Sequence, residues 1–278
     1  MKISIITPNY NYGEFLKNAI KNVYAQTEAN DSPIVEHIII DGGSTDNSVK
    51  YMQEWDKFIE TIPKDRKSRY SFSWISEKDK GQTDAINKGL LLSTGDLMCW
   101  LNADELYADK TLTYVSKYFK SHPNIDIAHG EVDFINKEGK FLIKKYQHRF
   151  SGFVLLYQGC YIPSAATFWT RKAFEKVGPL DIYYKVTMDF EYWVRFYKLG
   201  CKFGFMPKTL ASFTWHETNV SEVFAERRYQ ERIRVQHLYA PKCLLGEKAW
   251  LLFTKIKQLF AKLVIRQTLK LQRRIFYK

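Results

Sequence analysis

Short apolar runs alternate with amphipathic segments through the amino-terminal part of the chain. Ile3–Thr7, His37–Ile40, Tyr70–Ile75 and Leu97–Leu101 have the composition of short buried strands. Between them, as in residues 15–23, apolar side chains recur at helical spacing. Strands that alternate with helices favour parallel pairing with right-handed crossovers, so the loops after successive strands gather at one edge of the sheet. The pattern therefore predicts an α/β fold with a mainly parallel sheet.

The pattern changes in the second half of the chain. Residues 125–145 contain short apolar runs around a turn at Asn136–Lys140, which favours a hairpin flanking the sheet. Helical spacing returns at Thr187–Arg195 and at Glu222–Tyr239, and a strand is expected to end near His216. We therefore expect a mixed sheet flanked by helices.

The carboxyl-terminal segment differs in charge from the rest. The chain carries a formal net charge of +12, and Lys242–Lys278 holds ten Lys or Arg against one acid, a net of +9. Residues 247–276 have the spacing of a basic amphipathic helix, which can lie on an anionic membrane surface. Packing on the domain or on a second subunit, as in a homodimer, is the alternative. We expect one domain at 1–220 and a helical extension at 221–278.

Composition narrows the class of protein. A chain of 278 residues with 45% hydrophobic residues can fill one large α/β core. The four cysteines form no CxxC pair, which argues against a disulfide framework or a zinc site. The chain has neither a signal-peptide pattern nor an uninterrupted apolar stretch long enough for a transmembrane helix. A cytoplasmic protein is expected, and the absence of a recognisable nucleic-acid module argues against nucleic acid as a partner.

Acidic and amide side chains follow the fourth predicted strand. Asn102, Asp104 and Glu105 come directly after Leu97–Leu101, and Thr83 or Asp84 can cap the helix before it. Ligands of open α/β sheets bind beyond the carboxyl ends of the strands. Carboxylate and amide oxygens suit Mg²⁺ or Mn²⁺. This cluster predicts a metal and diphosphate site, whereas a polar turn before the next helix is the alternative.

The loops after the first two strands supply further candidates. Tyr10 could stack on a planar ring such as a nucleobase, or the loop could serve the turn alone. Asp41 ends the second strand and could accept from a ligand, whereas Asp46 is interpreted as a helix cap. Neither loop matches GxGxxG or GxxxxGKS, so a dinucleotide dehydrogenase and a P-loop ATPase are not supported.

Five motifs occur in a characteristic order: TPNYN at 7–11, DGGSTDNS at 41–48, SEKDKGQTDAINKG at 76–89, TGDLMCWLNADE at 94–105 and MDFEYWVR at 188–195. With these motifs, residues 1–220 resemble the inverting family 2 glycosyltransferases of GT-A fold, and five ordered motifs are far more specific than any one. The resemblance implies transfer of a sugar from a nucleoside diphosphate donor. It also implies a mixed, mainly parallel Rossmann-like sheet.

The resemblance assigns roles to residues of the motifs. Tyr10 would stack on the nucleobase, Asp41 would accept from it, and Asp104 would ligate Mn²⁺ or Mg²⁺. Other residues expected along the donor are Pro8, Asn11, Asp79, Gln82, Lys88, Asn102 and Ala103. The family's usual DxD begins here with Asn102, which removes one charge from the metal site, so Glu105 or His216 could assist Asp104.

Single-step inverting transfer requires a base opposite the leaving group, and a carboxylate is the usual agent. The resemblance points to Asp189, with Glu191 as the alternative. Both acids could instead complement the helix dipole, and Glu191 could pair with Arg195 four residues later.

The expected activity is transfer from a UDP-sugar to a hydroxyl of a glycan or lipid-linked glycan, at the inner face of the cell membrane. Many enzymes of this resemblance build bacterial surface polysaccharides, including lipopolysaccharide. A sugar nucleotidyltransferase and a non-catalytic nucleotide-sugar or glycan-binding protein are the alternatives. The loop TPNYNYG has neither Lys nor Arg, which disfavours the nucleotidyltransferase.

Overall fold

The computed structural model describes residues 1–216 and 224–240, together with Ile256, Phe260 and Leu263. Within these residues, nine strands form one mixed sheet flanked by helices. The strands are β1 (Lys2–Asn9), β2 (Ile34–Asp41), β3 (Tyr70–Ser76), β4 (Leu97–Trp100), β5 (Glu105–Tyr107), β6 (Ile127–Ile135), β7 (Phe141–Lys145), β8 (Thr167–Thr170) and β9 (Phe203–Thr214). The helices are α1 (Gly13–Ala25), α2 (Ser48–Thr61), α3 (Lys64–Lys67), α4 (Gln82–Leu92), α5 (Thr111–Ser121), α6 (Gly152–Gln158), α7 (Arg171–Val177), α8 (Met188–Lys198) and α9 (Ala225–Tyr239), with a 3-10 turn at Ser164–Ala166.

The first half of the sheet is parallel, as predicted. Its strands lie in the order β3-β2-β1-β4, and every neighbouring pair runs in the same direction. Asn9 is opposite Asp41 at the end of the β1–β2 ladder, and the amide of Leu101 donates to the carbonyl of Ile6. The loops that follow β1, β2, β3 and β4 therefore meet at one edge, which is where the sequence placed its candidate residues.

The second half of the sheet is mixed. It continues from β4 through β8, β6 and β9 to β5, with antiparallel pairs except for the parallel pair β6–β9. The predicted hairpin is confirmed, and its turn is closed by a bond from the amide of Asn136 to the carbonyl of Lys140. Only β7 flanks the sheet, however. The β6 strand is largely buried and lies inside the sheet between β8 and β9, so the prediction of a flanking hairpin was wrong for this strand.

A cluster of large aromatic side chains joins α8 to the middle of the sheet. Trp100 of β4 and Trp193 of α8 are both buried, and their rings stack at 5.3 Å. Trp169 of β8 packs edge-on against both rings. Each buried aromatic side chain removes a large apolar area from water. The cluster therefore fixes the start of α8 beside the end of β4.

The start of α4 differs from the prediction. The helix begins at Gln82 after Gly81, whose positive φ of 104° suits glycine, so neither Thr83 nor Asp84 is the cap. The Thr83 hydroxyl instead donates to the carbonyl of Tyr184, and the Asp84 carboxylate accepts from the amide of Lys80. These side chains bind neighbouring loops because the glycine turns the chain one residue before the helix.

The helix predicted at Glu222–Tyr239 is observed from Ala225, and the residues just before Phe224 lie outside the described part of the chain. This helix contacts α6 and α8, and its buried residues are Glu231, Val235 and Gln236. Most of the predicted helix at 247–276 lies outside the described residues. No helix of the described ranges has both the length and the apolar character needed to cross a membrane.

Candidate active site

A cleft with a volume of about 530 Å³ opens where β1, β2 and β4 end and α8 begins. Of the residues proposed from the sequence, its wall includes Pro8, Tyr10, Asp79, Gln82, Asn102, Ala103, Asp104 and Asp189. They come from four separate segments of the chain. Parallel pairing of the first strands and the docking of α8 on β4 bring these segments together.

The Tyr10 side chain stands at the tip of the loop after β1 and is 61% exposed. Asn11 follows with a left-handed backbone, at φ 56°, that asparagine tolerates better than most residues. Its side-chain oxygen accepts from the amide of Thr45, and its own amide donates to the Ser44 hydroxyl. Asn11 does not line the cleft, so its visible role is to hold the loop that carries Tyr10.

Asp41 is fully buried at the end of β2. Its carboxylate accepts from the side-chain amide of Asn9 at 2.6 Å and from the hydroxyls of Ser76 and Ser44. The amides of Gly43 and Ser44 also donate to it, so the carboxylate is saturated and its contact with a nucleobase stays a prediction. Asn9 lines the cleft, and within the described ranges its buried Oδ1 has no hydrogen-bond partner. The sequence analysis missed Asn9, although its place opposite Asp41 in parallel strands was the available signal.

The turn after β4 aims two neighbouring acids in different directions. Glu105 is 2% exposed, and its carboxylate accepts from the amide of Asn102 at 2.9 Å. Burial, followed by the nearby charge of Asp104, raises the pKa of Glu105. The Asn102 side chain accepts from Gln82 at 2.7 Å. Glu105 therefore braces the turn and is not on the cleft wall, whereas Asn102 and Asp104 face the cleft.

Asp104 is paired with a histidine from the other end of the fold. Nε2 of His216, just beyond β9, lies 2.8 Å from Oδ2 of Asp104. The imidazole packs against the rings of Tyr12 and Phe15, at centroid distances of 5.8 and 5.4 Å. Burial raises the pKa of Asp104, and the bond to His216 opposes that shift. Asp104 therefore lies on the cleft wall, whereas His216 is buried behind it and orients its carboxylate.

The donor atoms of this pair suit a divalent cation. A carboxylate oxygen and an imidazole nitrogen can both bind such an ion, and in this structure the two atoms are joined by a hydrogen bond of 2.8 Å. Within the described ranges no third His, Cys, Asp or Glu completes a protein-only cluster. Mg²⁺ is usually held by one or two carboxylates together with substrate phosphates. The residues present therefore fit an ion shared with a diphosphate.

Asp189 stands near the amino end of α8, on the cleft wall. Its Oδ1 accepts from the amide of Phe190 at 2.7 Å, and its Oδ2 lies 3.4 Å from Sγ of Cys160, which donates to it. Burial raises the pKa of Asp189 despite these bonds. A carboxylate with a raised pKa accepts a proton more readily, which suits a general base.

Glu191 and Lys88 lie off the cleft. Glu191 is 2% exposed and binds the guanidinium of Arg195 through both oxygens, at 3.0 and 2.8 Å. It also accepts from the Tyr239 hydroxyl, which ties α9 to α8. Nζ of Lys88 lies 2.6 Å from the Glu77 carboxylate. Glu191, two residues after Asp189, is therefore held by structural contacts, because the turn of the helix directs its side chain into the core.

Several residues of the cleft wall were not proposed from the sequence. Tyr12, Lys78, Ser164, Lys185, Val186 and Met188 are among them. Ser164 lies on the wall, whereas its neighbours Ala165, Ala166, Phe168 and Trp169 are buried in the core. Lys185 and Val186 lie three and two residues before the fifth motif, and that position was the available signal.

The amino-acid sequence matches the protein family described as Glycosyl transferase family 2 over residues 4–187. An uncharacterized glycosyltransferase of Nostoc sp. is 30% identical over 190 residues, which cover 65% of this chain and 54% of that protein. A PGL/p-HBAD biosynthesis glycosyltransferase of Mycobacterium bovis is 26% identical over 69% of this chain and 68% of its own length. The chain thus spans about half the length of the Nostoc relative.

Solved structures share the fold at low sequence identity. S. aureus TarS residues 1–349, in complex with UDP-GlcNAc, superposes with a TM-score of 0.65 at 14% identity, covering 90% of this chain and 69% of that 1–349 chain. The mannosyltransferase PcManGT of Pyrobaculum calidifontis, in complex with GDP-Man and Mn²⁺, gives 0.61 at 15% identity over 87% of this chain and 65% of its own. The GT-A fold expected from the sequence motifs is confirmed.

Proposed function

This chain belongs to glycosyl transferase family 2, and we propose that it moves a sugar, with inversion, from a nucleoside diphosphate donor to an acceptor hydroxyl. One observation carries the proposal: Tyr10, Asp104 and Asp189, from distant parts of the chain, line the same cleft. They supply an aromatic face, a cation ligand and a candidate base. Transfer of a sugar from a donor to an acceptor would use all three groups in one place.

The donor side of the cleft is formed by the loops after β1, β3 and β4. The exposed ring of Tyr10 offers a stacking surface for the nucleobase. Asp79, Gln82 and Asn102 line the same cleft as this ring and Asp189, and ribose, diphosphate and sugar would extend along them. UDP is favoured, in keeping with the UDP-GlcNAc held by TarS, although PcManGT holds GDP-Man.

The diphosphate leaving group gains negative charge as the glycosidic bond breaks. Asp104 and His216 would hold Mn²⁺ or Mg²⁺ there, and such an ion stabilises that charge as a Lewis acid. The ring contacts with Tyr12 and Phe15 keep His216 oriented. Asn102 supplies an amide where the usual DxD motif of the family has a carboxylate. Metal binding would therefore depend more strongly on Asp104.

Asp189 would accept the proton of the acceptor hydroxyl as that oxygen attacks the anomeric carbon. The new carbon–oxygen bond forms on the face opposite the bond to the leaving diphosphate, which inverts the configuration. Raising the carboxyl pKa by burial favours this transfer. Cys160 and the Phe190 amide hold the two carboxylate oxygens in place.

The acceptor is proposed to be a glycan or lipid-linked glycan of surface polysaccharide synthesis, met at the inner face of the membrane. Ile256, Phe260 and Leu263 are helical, 49%, 60% and 49% exposed, and spaced to share one helix face. The surrounding sequence, Lys242–Lys278, carries a net charge of +9. Apolar side chains within a basic segment favour contact with anionic lipid. Dimerisation through the same face is the alternative.

A panel of UDP- and GDP-sugars, each with and without Mn²⁺, tests the activity. We expect release of nucleoside diphosphate, faster with an acceptor glycan, and donor binding by calorimetry. The matched variant Asp189→Asn should bind the donor within about twofold of wild type and lose about 10²- to 10⁴-fold in turnover. Release of pyrophosphate in a parallel assay with UTP or GTP and a sugar 1-phosphate would indicate a nucleotidyltransferase. Absence of nucleotide binding in every combination would refute the proposal.

A further inference from the structure

A buried carboxylate of α9 holds the chain just before α8. The Glu231 side chain is 3% exposed, and its Oε1 accepts from the amide of Lys185 at 2.9 Å. Its Oε2 accepts from the amides of Val186 and Thr187 at 3.0 and 2.9 Å and from the Thr187 hydroxyl at 3.1 Å. Nε of Arg227 donates to Oε1 at 2.7 Å. One carboxylate thus binds three consecutive backbone amides.

The Glu231 carboxylate provides a hydrogen-bond acceptor for backbone amides that have none within their own segment. Three successive amides that converge on one point form a concave anion site, and a fixed negative charge suits it well. Thr187 precedes the first turn of α8 and makes no side-chain cap to that helix. Burial alone would raise the pKa of Glu231, but the bonds from Lys185, Arg227, Thr187 and Val186 lower it. Glu231 therefore stays ionised where its charge is needed.

The segment held by Glu231 is part of the cleft wall. Lys185, Val186, Met188 and Asp189 all line the cleft. Nζ of Lys185 also donates to the carbonyl of Lys80, at the loop before the donor-side helix α4. Displacement of this segment would therefore move Asp189 relative to the donor.

We infer that Glu231 is a positioning residue for Asp189, which fixes residues 185–187 so that the carboxylate of Asp189 faces the donor. The inference rests on the proposed function, because it takes Asp189 as the base. It also assigns a role to α9, which lies beyond the residues 4–187 matched to the family. Catalytic geometry in this chain then depends on its carboxyl-terminal helix.

The first test compares Glu231→Gln with Glu226→Gln, whose wild-type carboxylate lies on the same helix, is exposed and accepts from Gln230. Glutamine keeps the size of the side chain but loses the charge and places an N–H group against the amides. We expect turnover in Glu231→Gln to fall about 10- to 100-fold, since misplacement by about 1 Å costs about that much. Donor affinity should stay within about twofold of wild type. Turnover equal to that of Glu226→Gln would overturn the inference.

Amide hydrogen exchange of residues 185–187 gives a readout that does not require activity. Exchange should accelerate at least about tenfold in Glu231→Gln and not in Glu226→Gln, because local opening costs less once the carboxylate is lost. Unchanged exchange would overturn the inference, even if no sugar donor were found and the proposed function failed.

Arg227→Gln removes the neighbouring guanidinium, whose side chain is 49% exposed, and provides a milder variant if Glu231→Gln does not fold. It should give a smaller loss of turnover in the same direction; wild-type turnover and exchange in Arg227→Gln would overturn the inference.

Discussion

His216 and Asp104 are separated by 112 residues in the sequence, yet Nε2 of one lies 2.8 Å from Oδ2 of the other. The antiparallel pairing of β5 with β9 creates this contact, because Glu105 is opposite Phe213 in the register. The Thr214 hydroxyl, which donates to the carbonyl of Asp104, secures the same junction. The pair is therefore held by the backbone of the sheet as well as by its own hydrogen bond.

Asp104→Asn should abolish the metal-dependent part of donor binding. Loss of one outer partner of a metal ligand costs about 10- to 100-fold in affinity, so loss of the ligand's charge should cost at least about 100-fold. Calorimetric titration of UDP with and without Mn²⁺ measures the effect. Asp109→Asn, an exposed acid shortly after β5, is the control and should bind as wild type does. Equal binding by Asp104→Asn and wild type would rule out this metal site.

Tyr10→Ala should weaken donor binding, whereas Tyr10→Phe should not. Stacking of a base on an aromatic ring contributes about 1–3 kcal/mol, which corresponds to about 5- to 150-fold in Kd. The ring is 61% exposed, so its removal should leave the melting temperature unchanged. Titration with UDP, at a fixed Mn²⁺ concentration, separates the two variants. A loss of affinity in Tyr10→Phe equal to that in Tyr10→Ala would assign the effect to the hydroxyl instead.

Glu191→Gln should lower stability while leaving the chemistry in place. It removes one partner of the pair with Arg195 and weakens the bond from Tyr239. Breaking a buried ion pair costs about 3 kcal/mol of unfolding free energy, because the remaining charge is left uncompensated. Urea unfolding measures this, with Glu175→Gln, an exposed acid of α7, as the control. If folded Glu191→Gln lost turnover as Asp189→Asn does, Glu191 would become the candidate base.

Glu36 should make stability depend on pH in the acid range. Burial opposes ionisation of its carboxyl, but hydrogen bonds from Lys2, Ser4 and Thr94 outweigh burial and lower the pKa to about 2. A pKa below the unfolded value of 4.5 means that the stabilisation is present above pH 4.5 and is lost as pH falls toward 2.

Urea unfolding of wild type and Glu36→Gln at pH 6 and pH 3 measures this contribution. The difference between the two proteins should be large at pH 6 and shrink at pH 3. Glu60→Gln, at an exposed position, should track wild type at both values. A difference that stays constant with pH would mean that Glu36 acts through packing alone.

The sequence predicted the strands and helices of the amino-terminal half because apolar residues recur at different spacings in strands and in helices. Leu16, Ala19, Ile20 and Val23 are buried on one face of α1, as their spacing indicated. Helix starts were predicted less well, since Gly81 turns the chain before Thr83 can cap α4. Periodicity reports which face is buried, but it does not report which backbone conformation ends a loop.

Within the candidate site, residue type and position after a strand identified much of the cleft wall. Tyr10, Asp79 and Asp104 were found in this way, and all of them line the cleft. Orientation was not predictable: Asp41 points toward the hydroxyl of Ser76, and Glu191 accepts from the hydroxyl of Tyr239. Side-chain direction depends on which donors the fold brings near, and those donors come from distant segments.

The amino-acid sequence by itself determined the alternation of elements, the family and the strand-end loops that carry acids, because these depend on local period and on ordered motifs. Only the tertiary structure decided that His216 meets Asp104, that Tyr239 donates to Glu191 and that Glu231 binds the chain before Asp189. Each of these contacts depends on sheet order and helix docking. Such long-range geometry results from how all the apolar faces pack at once, and no single stretch of sequence encodes it.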